Sequence, residues 1–142
     1  MQAVSFEETI DLILKHDSRY HRDVYFFVRE ALDHTQKMMG RSSKDEVHHI
    51  TGPELLGGIR SYGLQQFGPM TMTVFEEWGV RQCLDYGEIV FNMVEHNLLA
   101  KTETDSREDF KGGYEFEEAF RRPFLPTGQS PAVEPEPKST QV

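Results

Sequence analysis

The side chains of this chain that could do chemistry are two histidine clusters, one cysteine and a large excess of carboxylates. His16 and His21 stand five residues apart with Asp17 and Asp23 close by, and His48 and His49 are adjacent beside Asp45 and Glu46. Imidazole and carboxylate groups ligate divalent metals. Adjacent histidines usually point apart, however, and neither H-E-x-x-H nor C-x-x-C spacing occurs, so no metal or cofactor is assigned. A site assembled in space from both clusters, in a metal-binding protein or an enzyme, is the third of three functional readings. Cys83 precedes an acidic helix cap and reads as an inert, partly buried thiol rather than a nucleophile. The carboxylates follow helix caps and solvated faces, and no acid–base pair stands out, so no catalytic residue is assigned. Gly57-Gly58 and Gly112-Gly113 lack the pattern of a phosphate loop.

Charge narrows the partners. The chain has 142 residues, with 24 Asp and Glu against 15 Lys and Arg, a formal net charge of -9. Such a chain repels phosphate backbones and anionic lipid, which favours basic protein patches, metals or cationic ligands. One cysteine leaves no intramolecular disulfide and fits a reducing compartment. Met1–Val4 lead at once to Glu7 and Glu8, without a basic and apolar leader pattern. No run approaches the ~20 apolar residues that span a bilayer. A cytoplasmic protein that does not enter membranes is expected.

The elements that must position these residues read mostly as helices. Ser5-Phe6-Glu7-Glu8 has capping-box spacing, and Phe6, Ile10, Ile13 and Leu14 follow on one face, which predicts a helix over 6–16. Val24, Phe27, Val28, Ala31, Leu32, Thr35 and Met38 predict a second over 21–39. A polar connector fills 41–50. Thr51-Gly52-Pro53-Glu54 opens a third helix through Phe67. The adjacent Gly57 and Gly58 weaken it by about 1 kcal/mol each and suggest close packing against another element or a mobile helix. Residues 70–78 read as helix rather than strand and end at Trp78, expected to be a core residue. Asp85-Tyr86-Gly87-Glu88 predicts a cap for a helix reaching Asn97. Leu98–Thr102 reads as a short strand, and Gly112-Gly113, flanked by Phe110, Tyr114 and Phe116, as a hairpin. A last short helix is expected near 115–121. From Thr127 onward, proline, serine, glycine, glutamine and glutamate dominate, which predicts a disordered tail over 127–142.

The expected fold is therefore α+β and predominantly helical. It comprises a single domain over 1–126, with a winged-helix-like core over 51–116, a small β-hairpin and an N-terminal helix pair. The charges oppose the usual task of that fold. Between Pro69 and Asn97 the only Lys or Arg is Arg81, against Glu76, Glu77, Asp85, Glu88 and Glu95. The wing is mixed, with Lys101, Arg107 and Lys111 among Glu103, Asp105, Glu108 and Asp109. A recognition helix needs cations on phosphates and donors aimed at bases, so direct DNA binding is disfavoured.

The runs Leu64–Met70, Glu76–Val80, Asp85–Asn92 and Glu118–Phe120 resemble a small family of uncharacterised bacterial proteins, the Minf-type proteins. The resemblance spans nearly everything before Thr127. It implies a unit fold and carries over no catalytic or binding residue, since that family has no assigned function.

The leading functional expectation is a non-enzymatic binding or adaptor module that docks on another macromolecule, a protein partner. The expected contacts are Glu88, Phe91 and Glu95 on the acidic helix, and Arg121, Arg122, Phe124 and Leu125. The latter run combines two guanidiniums with a stiff backbone and two apolar anchors, the ingredients of a linear docking motif. The competing reading of Phe124 and Leu125 is that they fold back onto the domain's own core. Tyr25–Phe27 and Phe91 pose the same choice between core and interface. The second functional reading is a nucleic-acid-associated regulator acting through a partner.

Overall fold

A computed structural model describes residues 5–39, 50–99 and 107–126. The described residues form five α-helices: α1 (Phe6–His16), α2 (Arg22–Met38), α3 (Gly52–Phe67), α4 (Thr71–Glu77) and α5 (Cys83–Glu95). Short 3-10 turns cover Gly68–Met70, Arg107–Phe110 and Arg122–Phe124, and a π turn covers Glu117–Arg121.

Local sequence explains the boundaries. Ser5 Oγ accepts from Glu8 N while Glu8 reaches back to Ser5 N, and Thr51 and Glu54 do the same for α3. His21 caps α2, its Nδ1 accepting from Asp23 N at 3.0 Å. α5 begins earlier than the expected cap at Asp85. Asp85 is its third residue, and its Oδ2 accepts from Arg81 N at 2.9 Å and Gln82 N at 3.2 Å. That carboxylate satisfies backbone donors ahead of the helix and sits where the helix dipole favours an anion.

The α+β, winged-helix-like expectation is overturned. The described residues are 76% helix, and no strand, sheet or hairpin occurs among them. After α5 the chain leaves through Asn97, whose φ is 64°, into a bend at Leu98 and Leu99. The rest of the expected strand, 100–102, lies outside the described residues. The expected hairpin at Gly112-Gly113 is instead a turn, with φ 72° at Gly112. It carries the following aromatics inward: Phe116 and Phe120 are buried, and the Tyr114 hydroxyl donates to Leu56 O at 2.8 Å. A wing would have left these rings half-solvated, and burying them is worth roughly 1.5–3 kcal/mol each. The expected tail, 127–142, also lies outside the described residues.

The core gathers around Phe75. Its ring lies 5.1 Å from Phe120, 5.4 Å from Phe27 and 5.4 Å from Tyr86, centroid to centroid. α2 and α3 form the central pair, and a side chain at Gly58 would overlap the Thr35 hydroxyl outright. Gly57 faces open space. Gly58 alone thus marks the close approach of α3 to α2. Phe110 uses two further glycines. A Cβ at Gly87 would come within 2.9 Å of Phe110 Cβ, and one at Gly52 within 3.2 Å of its ring. Trp78 is only partly buried. It packs over Phe27, Phe67 and Phe75 at the edge of the core.

Two turns then lock together. His21 N donates to Trp78 O at 2.9 Å. Gly79 has φ 91°, and a Cβ there would collide with Arg19 O. This contact lays the α1–α2 turn against the α4–α5 turn.

Candidate functional site

Along α5, Glu88, Phe91, Asn92, Glu95 and His96 follow the i, i+3, i+4, i+7, i+8 pattern of one helix face. That face meets the end of α1 and forms an open cleft of about 810 Å³. Its other wall is His16, Asp17 and Arg19. All three residues expected on the acidic helix line it: Glu88 and Phe91 are half-buried, and Glu95 is exposed.

Asp17 organises the floor. Its carboxylate receives Arg19 Nε at 2.9 Å and a terminal guanidinium nitrogen at 2.7 Å, and the Asn92 amide at 3.0 Å. The Arg19 fork holds the Asp17 carboxyl well below the usual carboxylate range, with Asn92 adding to it and burial opposing. Asn92 also donates to the Tyr25 hydroxyl at 3.2 Å, which ties the cleft to the core. Arg19 reaches Glu88 at 3.5 Å. Beside this pair, Tyr20 donates to Asp85 at 2.9 Å, and burial together with that carboxylate pushes its phenol up.

The histidines fall differently from their sequence clusters. His21 is the cap of α2. His48 and His49 lie outside the described residues. His16 instead meets His96, 80 positions away, with ring centroids 6.0 Å apart. His96 Nδ1 lies 3.0 Å from Asn92 O. Among the described residues no group of three His, Cys, Asp or Glu is placed to hold a metal.

Arg121, Arg122, Phe124 and Leu125 do not line this cleft. Arg121 pairs with Glu117 at 3.0 Å and Arg122 with Glu118 at 3.2 Å. Phe124 and Leu125 are 45% and 42% exposed, so they do not cover the core. Tyr25 and Phe27 are buried, and Phe26 packs edge-on against Phe6 at 5.1 Å, so that aromatic run is core and helix contact.

Sequence reasoning missed Asp17–Arg19, Asn92 and His96 as parts of one site. The signal for Asn92 and His96 was the helical spacing from Glu88. Two nucleophile candidates lead nowhere. Cys83 is buried and its thiol is pushed up by that burial, with Sγ donating to Tyr114 O at 3.4 Å. Ser61 lies 3.1 Å from His34 Nε2, a serine–histidine pair the sequence did not suggest. Ser61 sits inside α3, where backbone donors are committed to the helix, so no oxyanion hole accompanies it.

No protein-family model, no curated protein and no solved structure matches the chain. The resemblance to the Minf-type proteins therefore rests on the runs quoted above. No helix among the described residues is long and apolar enough to cross a membrane.

Proposed function

We propose that this protein is a non-enzymatic binding module that takes a cationic segment of a protein partner in the α1–α5 cleft. The observation that carries the reading is the convergence of Glu88, Phe91 and Glu95 with Asp17 on one open surface. Among the described lining residues, the carboxylates of Asp17, Glu88 and Glu95 outnumber the Arg19 guanidinium. The carboxyl ends of α1 and α5 add partial negative charge, since each helix dipole ends in unpaired carbonyls. A Lys or Arg side chain is the complement, its charged head meeting the carboxylates and its aliphatic stem lying in the cleft. The same charge disfavours a phosphate backbone on this face.

The test is fluorescence anisotropy with two labelled peptides, one rich in Lys and Arg and one with those positions changed to Glu. The basic peptide binds, binding weakens with salt, and Glu95→Gln with Phe91→Ala reduces it. Equal binding of both peptides, or a double variant indistinguishable from the parent, refutes the reading.

A further inference from the structure

We propose that His16 and His96 form a two-imidazole site for a divalent ion of the zinc, nickel and copper class at the mouth of the cleft. His96 is already oriented for the task. Its Nδ1 lies 3.0 Å from Asn92 O. A carbonyl can only accept, so the neutral ring carries its proton on Nδ1 and leaves the Nε2 lone pair free. Ligating imidazoles are held this way by an outer carbonyl in known metal sites.

The His16 ring stands with its centroid 6.0 Å from that of His96, the planes inclined by 42°. With metal–nitrogen bonds of ~2.0–2.1 Å, two imidazoles on one ion have centroids roughly 5–6 Å apart. His16 is exposed and ends α1, so rotation of its side chain closes what distance remains.

The surroundings favour a cation. His16 is the last residue of α1 and His96 the cap of α5, so the carbonyl ends of two helices meet at the pair. Glu95 lies in the same cleft. Two imidazoles leave the remaining positions of a four-coordinate ion open to water or a further donor, the mark of an exchangeable rather than a structural site. Imidazole donors select late transition ions over magnesium and calcium, which prefer oxygen. The proposal needs no protein partner and stands apart from the docking reading.

The experiment is calorimetric titration of the full chain with zinc chloride after treatment with a chelator and dialysis. The parent binds one equivalent saturably. His16→Ala and His96→Gln each weaken binding by roughly ten-fold or more, while His21→Ala, a histidine engaged in capping α2, leaves it unchanged. Circular dichroism establishes that each variant is folded. Magnesium chloride in place of zinc gives no saturable heat. The proposal is overturned by absence of saturable zinc binding, by an equal loss in His21→Ala, by undiminished affinity in the His16→Ala, His96→Gln double variant, or by magnesium binding of similar strength.

Discussion

Tyr86→Phe is expected to stabilise the protein. The Tyr86 ring is fully buried between Phe75 and Phe27, and among the described residues its hydroxyl has no hydrogen-bond partner. A buried hydroxyl left unpaired costs about 1–3 kcal/mol in desolvation. Removing one oxygen leaves a void of ~10 Å³, which returns only about 0.2 kcal/mol of that at ~24 cal/mol per Å³. The net gain is about 1–3 kcal/mol. For a domain of this size, 1 kcal/mol corresponds to roughly 3–5 °C in Tm. Urea unfolding followed by circular dichroism measures it, as a higher midpoint at unchanged slope. The buried phenols also give the protein an alkaline signature. Burial pushes the phenols of Tyr20, Tyr25, Tyr86 and Tyr114 up from 10. A pKa raised in the folded state gives stability that is present below pH 10 and lost as pH rises from there toward the folded values. Stability therefore falls above pH 10, and Tyr86→Phe makes the fall shallower. A loss of about 1 kcal/mol in the variant would refute the argument, because it would mean the hydroxyl is satisfied in solution.

The adjacent glycines of α3 should respond in opposite directions. Gly57→Ala gains about 0.5–1 kcal/mol from helix propensity, and Gly58→Ala loses stability through its clash with Thr35, both read from thermal melts. Asp17→Asn removes the charged partner of Arg19 and flattens the acid limb. The lowered Asp17 pKa gives stability that is present above 3.8 and lost as pH falls below it, so parent and variant converge in acid unfolding. Phe124→Ala with Leu125→Ala lowers the melting temperature by no more than roughly 3–5 °C, since two exposed substitutions cost up to about 0.5 kcal/mol each. A large drop would restore the reading in which those side chains cover the core. A chain ended after Gly113 loses Phe116, Ala119 and Phe120 from the core and gives no cooperative melt.

Much of the helical framework was legible because caps are local. The Ser5–Glu8 and Thr51–Glu54 pairs announce α1 and α3 within four residues each. Asp85 misled for the same reason: a carboxylate followed by Glu88 looks like a cap, while it serves as the third residue of a helix begun at Cys83. The glycines misled more deeply. Sequence cannot distinguish a glycine that turns the chain from one that makes room, and Gly112-Gly113 followed by aromatics fits either. Here Gly112 turns, and a Cβ at Gly113 would stand 2.6 Å from Leu56. The acidic face of α5 was visible through its spacing. Its partner across the cleft was not, because nothing within 80 residues of chain tells His16 that it will face His96.

The seating of Phe110 against Gly87 and Gly52, followed by Phe116 and Phe120 against Phe75, has a consequence for synthesis. A ribosome delivers both walls of the cleft, the end of α1 and the acidic face of α5, before it delivers these rings. Until residue 120 is clear of the exit tunnel, Phe75 and Tyr86 have no covering on one side, and a nascent chain holding α1 to α5 exposes an oily socket. The aromatic stretch after residue 107 acts as a late wedge, and its arrival closes the core that α1 to α5 leave open.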